Sequence, residues 1–284
     1  MNQSAFVPGR LITDNVLLAY ELTHYMQTKS RGMDSYAALK LDMSKAYDRV
    51  EWHFLRRMLC KLGFQQGWVD TLMNFVTTVR YRIRVNGELT DEIIPQRGLR
   101  QGDPLSSYLF LICAEAFSCL LKAAERRGET VGVRVCQCAP SINHLLFADD
   151  SLLFKIDNGS AEHLRNVLSL YEDCSGQIIN KDKSSIMFSK NTPAEVKSHL
   201  MRDLEIESEA RNEKYLGLPV YMGRSKTQPF KTMTLASNHS GGKTRVFGLG
   251  APILNSRRVL ICYKTCTIIF EKEKNGKWKT KSNI

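Results

Sequence analysis

The decapeptide at 145–154 (LLFADDSLLF) constrains this chain more than any other stretch. Two short apolar runs flank a break that carries adjacent carboxylates, the pattern of a buried β-hairpin with both acids at its turn. Strands folded into a core hold such a tip rigidly. Carboxylates that close repel each other unless a cation sits between them. Hard oxygen ligands at a fixed point suit Mg2+, an ion that also keeps substrate phosphates in its shell. Asp-Asp is equally ordinary turn chemistry, so this segment alone leaves both readings open.

Two further segments bear on the choice. Residues 36–42 (YAALKLD) form an apolar, strand-like run ending in an acid, Asp42, and the following MSKAYD leads into a helical pattern through Leu59. In residues 97–106 (RGLRQGDPLS), a glycine-bracketed polar loop enters a long apolar helix, with Asp103 placed to cap it and Pro104 in its first turn. A helix start of that kind directs backbone N–H groups and positive dipole toward a neighbouring anion.

With these residues in view, the chain resembles the reverse transcriptases of non-LTR (LINE-type) retrotransposons, in the plant-like branch. LKLDMSKAYDRVEW at 39–52 is similar to their first palm segment, and RGLRQGDPLS to their nucleotide-side loop and helix. HLLFADDSLLF at 144–154 is similar to their catalytic hairpin, and SGQIINKDKS at 175–184 to the next palm segment. EKYLGLP at 213–219 is similar to their primer-gripping turn, and QSAFVPGRLITDNVLLAYEL at 3–22 to the fingers-to-palm connection. All six occur in family order.

The resemblance implies RNA-directed DNA polymerisation by two-metal nucleotidyl transfer, using two Mg2+ ions for which Mn2+ can substitute. Asp42 and Asp149 become the main metal ligands, Asp150 a supporting one, with the Met43 carbonyl as a contributor. Tyr47 takes the place of an aromatic beneath the sugar, where a ring excludes a 2′-hydroxyl; the alternative is a ring that simply packs at a helix start. Arg100, Gln101 and Gly102 fall in the nucleotide-binding loop. Lys183 matches a lysine proposed to protonate pyrophosphate, or is a solvated surface lysine. Tyr215, Leu216, Gly217, Leu218 and Pro219 form the primer grip. The implied partners are an RNA template, a DNA primer and dNTPs. The alternative function is a catalytically dead nucleic-acid-binding remnant.

Charge sharpens where nucleic acid can be met. The net charge is +11, which invites a reading of the whole chain as a basic nucleic-acid binder. Lys+Arg and Asp+Glu balance through residues 1–222, however, so the entire excess falls in 223–284. Contacts by the folded part must come from local patches, of which Arg80, Arg82 and Arg84 on one strand face are the clearest. A solvated strand edge blunted by charge accounts for them equally well. The eight cysteines show no paired CxxC spacing and read as free thiols of an intracellular protein, nuclear or cytoplasmic, without disulfide partners. His24, His53, His144 and His163 have no metal-like grouping and read as structural or surface residues. No run approaches the length needed to span a bilayer, and no signal peptide opens the chain, so no membrane is expected.

The expected fold class is α+β: a polymerase palm, an antiparallel sheet backed by helices, with partial fingers and no recognisable thumb. Residues 1–226 are assigned to partial fingers plus palm. Residues 227–284 are assigned to a basic, poorly ordered tail of unmatched sequence, as a frameshift would leave. Helices are expected near 14–27, 47–61, 66–79, 103–127, 160–173 and 193–203. Strands are expected at 36–42, 81–85, 89–94, 131–135, 144–155 (the hairpin) and 184–189.

Overall fold

The structure, a computed structural model, describes residues 2–28, 36–210 and 214–219, together with 271–272 and 278–279. Its centre is an antiparallel four-stranded sheet. In chain order its strands are β1 (Ala37–Leu41), β4 (His144–Phe147), β5 (Asp150–Ile156) and β6 (Ser185–Phe188), arranged β4-β5-β1-β6. Two short strands, β2 (Arg84–Val85) and β3 (Glu88–Leu89), pair with each other, as do β7 (Lys214–Tyr215) and β8 (Leu218–Pro219). The helices are α1 (Ile12–Thr28), α2 (Trp52–Lys61), α3 (Gln66–Thr77), α4 (Pro104–Arg126), α5 (Asn158–Ser175) and α6 (Ala194–Leu204).

The sheet is buried on both faces, which explains why its strands read as continuous apolar runs rather than as an alternation. Leu39, Leu41, Leu146, Leu153 and Ile186 point into the larger core, against Phe117 and Leu121 of α4, Leu164 and Tyr171 of α5, and Leu200 of α6. Ala38, Leu152, Phe154 and Met187, offset by one residue, point the other way and meet Ala19, Leu22 and Met26 of α1 together with Tyr215. Period-2 geometry thus divides one apolar run between two cores. The palm expected to have helices behind it also carries α1 in front.

α4 starts as its sequence indicated. Asp103 caps it, its Oδ1 accepting from the Leu105 N–H at 2.9 Å, with Pro104 in the first turn. Such a cap is worth about 1 kcal/mol. α5 has a reciprocal cap in which Asp157 accepts from the Ser160 N–H and Ser160 Oγ accepts from the Asp157 N–H. By length and composition alone α4 could cross a membrane, which corrects the expectation that no run could. Ser106, Leu109, Phe110, Cys113, Phe117, Ser118 and Leu121 bury one face of it in the core, and that burial accounts for its apolarity.

Other expectations shift. The helix expected from 47 begins at Trp52, because residues 44–49 form turns with Lys45 at φ +51°. The strand expected at 131–135 is reduced to one bridge, Val133 to Ile142. The 81–94 hairpin narrows to β2 and β3 around Asn86-Gly87, with a separate Tyr81–Ile93 bridge. Apart from the short paired strands Glu271–Lys272 and Trp278–Lys279, the expected 227–284 tail lies outside the described residues. Cys60, Cys113, Cys119, Cys136, Cys138 and Cys174 are free thiols.

Candidate active site

Strand register brings the three acids to one end of the sheet. Phe147 pairs with Asp150 across the β4–β5 hairpin, so the turn consists of Ala148 and Asp149 alone. Asp149 is exposed at the tip, and Asp150 is the first residue of β5 rather than a turn residue. On the other side of β5, Leu41 pairs with Ser151. Asp42, one residue beyond the end of β1, therefore emerges beside Asp150.

The backbone of Asp42 is held from both sides. Its N–H donates to Ser184 Oγ at 3.1 Å, and its carbonyl accepts from the Asn180 N–H at 2.9 Å. Met43 bridges to Ile179, and the Ser44 N–H donates to the Ile178 carbonyl. The 175–184 segment thus works as a splint along the exit of β1.

Electrostatics agree with this proximity. The Asp150 carboxyl is pushed above its usual range, first by burial and then by the negative charge of Asp149; Asp42 adds to the shift and Lys40 opposes it. Among the described residues, no group of three His, Cys, Asp or Glu side chains is closed tightly enough to hold an ion. The acids are coupled but open. Their donor chemistry, three carboxylates with no competing imidazole or thiolate, fits a hard divalent cation.

The Tyr47 ring stacks on Phe110 of α4 with centroids 4.8 Å apart and planes 10° from parallel, and remains half-buried. Its backbone is braced as well: the Tyr47 carbonyl accepts from the Leu99 N–H at 2.8 Å, and Gln177 Nε2 donates to the Ala46 carbonyl at 2.8 Å. Gly98 permits this approach, because at φ +91° any Cβ would lie 2.7 Å from the Asp48 carbonyl oxygen. Beyond Gly98, Arg100, Gln101 and Gly102 are exposed in the loop leading to α4, with the Arg100 guanidinium 5.8 Å from the Tyr81 ring centroid. A cleft of about 240 Å³ lies beneath this loop, lined by Asp48, Trp52, Phe75, Arg97, Arg100 and Leu105 among others. None of the three acids lines it.

Lys183 is exposed, in the same turn whose Asn180 and Ser184 support Asp42. In the β7–β8 turn, Leu216 at φ +50° and Gly217 at φ +82° leave Gly217 exposed. The Tyr215 side chain is buried, with its hydroxyl accepting from Asn15 Nδ2 at 2.9 Å. Burial, and secondarily the charge of Asp150, push that phenol well above its usual range. Tyr215 therefore anchors the turn, Leu216 packs partly against the same core, and Gly217 is the part that faces outward.

Three residues near the site carried no role in the sequence: Lys40, Asn15 and Gln3. Lys40 follows the β1 alternation onto the Asp150 side. Asn15 and Gln3 bond to the β4–β5 hairpin from the chain's first segment, Asn15 to the Leu146 carbonyl and Gln3 to both backbone groups of Ala148. Their only sequence signal was membership of the 3–22 stretch. Among the histidines, His144 is fully buried between Ser118 Oγ, 2.9 Å from Nε2, and Asn143 Oδ1, 2.5 Å from Nδ1. Burial depresses its pKa to about 3, so it is a neutral structural residue.

Residues 1–220 match the family model described as reverse transcriptase (RNA-dependent DNA polymerase). An uncharacterized 149 kDa protein of transposon TX1 from Xenopus laevis is 32% identical over 217 residues, which is 76% of this chain and 16% of that protein. The Pol polyprotein of a type-1 retrotransposable element R2 from Popillia japonica is 32% identical over 152 residues, covering 53% of this chain and 20% of the polyprotein. An uncharacterized mitochondrial protein of Arabidopsis thaliana is 52% identical over 67 residues, 24% of this chain and 55% of its own length. The chain thus spans less than two thirds of each of these relatives. Among solved structures, telomerase from Candida tropicalis in complex with a fragment of telomeric RNA superposes with a TM-score of 0.54 at 11% identity, over 80% of this chain and 34% of that one. That likeness is one of fold.

Proposed function

Because the chain belongs to the reverse transcriptase family, in its non-LTR retrotransposon branch, we propose that Asp42, Asp149 and Asp150 form the catalytic centre of a nucleotidyl transfer copying RNA into DNA. The observation that carries this reading is the register of β5, whose pairing with both β1 and β4 brings three carboxylates from distant segments to one sheet end. When bound, a pair of Mg2+ ions would make the primer 3′-hydroxyl more acidic and neutralise the triphosphate. Asp42 and Asp149 would hold them, with Asp150 in support.

The remaining residues position rather than react. Tyr47, backed by Phe110 and tied to Leu99, presents a fixed surface to the sugar of the incoming dNTP and excludes a 2′-hydroxyl. Arg100, Gln101 and Gly102 meet the nucleotide from the loop, and the Met43 carbonyl adds an oxygen beside Asp42. Lys183 stands beside the acid-bearing end as a proton donor to pyrophosphate. Leu216, Gly217, Leu218 and Pro219, anchored through Tyr215, grip the primer. Work of this kind is mostly alignment and charge neutralisation, which a braced site supplies. The site of action is inside the cell.

Primer extension with an RNA template, dNTPs and Mg2+ tests the reading. Extension by the native chain and its loss in Asp149→Asn, with an unchanged melting curve, support it; a native chain that never extends removes it. Tyr47→Ala should admit ribonucleotides, and unchanged sugar selectivity would remove the role of that ring. Exposed Arg80, Arg82 and Arg84 favour a second reading, binding without turnover. Filter binding of the same duplex by a chain that does not extend would select it.

A further inference from the structure

Gln3 reaches across 145 positions to the catalytic turn. Its side chain is only 3% exposed, and both ends of its amide are used. Oε1 accepts from the N–H groups of Ser4 at 3.0 Å, Ala5 at 2.9 Å and Ala148 at 3.1 Å, while Nε2 donates to the Ala148 carbonyl at 3.3 Å. The backbone around it is docked as well. The Ser4 N–H donates to the Leu146 carbonyl, the Leu146 N–H donates to the Asn2 carbonyl, and the Arg10 guanidinium donates to the Gln3 carbonyl.

The residue gripped in this way is itself unusual. Ala148 sits at φ +53°, a left-handed conformation that an L-residue with a Cβ resists. Such conformations persist where the surroundings over-determine them. Ala148 immediately precedes Asp149, so any relaxation toward negative φ would redirect that carboxylate relative to Asp150 and the sheet end it shares with Asp42. The amide is suited to the task. Asparagine is one methylene shorter, and glutamate offers no donor to the Ala148 carbonyl and would set another carboxylate beside the three acids.

We propose that Gln3 is a positioning residue: it clamps Ala148 in its left-handed conformation and thereby aims Asp149 at the metal site. The inference rests on the polymerase reading for its consequence, while the clamp itself is testable without it. Gln3→Met removes every side-chain hydrogen bond at nearly constant volume, and the uncharged Gln3→Asn draws the amide one methylene short of Ala148; the second serves where the first fails to fold.

Amide hydrogen exchange, Mn2+ binding in the absence of substrate followed by electron paramagnetic resonance, and primer extension are the three readouts. In the variant, exchange at Ala148 and Asp149 should quicken while that at Leu39 and Leu41 holds. Mn2+ should bind more weakly, and kcat should fall on the order of 10²-fold, as expected of a misplaced catalytic group, with KM for dNTP unchanged. Unaltered exchange at Ala148 would overturn the clamp. Quickened exchange with unaltered Mn2+ affinity and kcat would reduce Gln3 to a stability residue and overturn the positioning role. Should the native chain lack polymerase activity, exchange and Mn2+ affinity alone decide: weakened binding upholds the inference and unchanged binding ends it.

Discussion

Two hairpins in this molecule solve the same geometric problem in opposite ways. Between β2 and β3 the two-residue turn is Asn86-Gly87, at φ +49° and +95°. These are residue types that adopt left-handed backbone readily. Every residue of that hairpin from Tyr81 to Thr90 is exposed. Between β4 and β5 the turn is Ala148-Asp149, and the left-handed position falls to alanine. The first turn holds itself by local chemistry; the second is held from outside, by a buried glutamine at the start of the chain. Local turn chemistry suffices where nothing is aimed, whereas an acid that must point at one place is braced by the rest of the fold.

Removing function breaks the comparison most sharply. Asp149→Asn should lower primer extension about 10³-fold or more, as expected when a ligand of the charge-neutralising ions is lost, without moving the melting temperature. Neutralising Glu88 in the exposed hairpin should leave the rate unchanged. Equal losses from both would show that the site is not localised at the sheet end.

A smaller effect separates the hairpins by pH. β4 opens with His144, neutral when folded because burial depresses its pKa to about 3. The unfolded chain takes up a proton near pH 6.5. The stabilisation is therefore complete above that pH and is lost progressively as pH falls toward 3. At pH 5.5 the loss from this one group is on the order of 1 kcal/mol. Urea unfolding at pH 7.5 and 5.5 measures it, and His144→Gln should flatten the dependence. An equal slope in that variant would place the acid sensitivity elsewhere.

Turn substitutions come next. Gly87→Ala forces a Cβ into left-handed backbone and should cost about 1–2 kcal/mol, confined to β2 and β3 and visible as faster local hydrogen exchange. Ala148→Gly should relieve strain and leave thermal stability unchanged or higher. A marked loss in Ala148→Gly would mean that the alanine methyl packs in a way that outweighs its backbone strain. The smallest effect belongs to the arginines. Arg82→Ala should reduce the salt-dependence slope of duplex binding by about one and weaken binding alike for all sequences. An unchanged slope would assign Arg82 to strand-edge protection.

Much of this architecture was readable locally. The apolar runs at 36–42 and 144–154, the Asp103-Pro104 helix start, and the Asn86-Gly87 turn each carry their structure in a few neighbouring residues, and each forms close to where those residues indicate. Errors arose where tertiary packing overrode propensity. The 44–49 stretch has helix-forming composition, yet it turns because Asp42, Met43 and Ser44 are zipped onto 178–180, Gln177 holds Ala46, and Gly98 approaches Asp48. The run at 131–135 has strand-like residues but a single bridging partner. The Tyr215 ring, within the segment that resembles a primer-gripping turn, packs in the core, a placement that depends on α1 and the sheet rather than on its neighbours in sequence.

The order in which strands and helices appear, and the carboxylates proposed for the chemistry, are legible in the sequence alone, since period, capping and turn chemistry act over a few residues. Only the tertiary structure decided that Asp42 stands beside Asp150, that Lys40 faces them, and that Gln3 grips the residue before Asp149. Those relations depend on strand register and on hydrogen bonds between segments more than a hundred residues apart, and no short-range pattern encodes either.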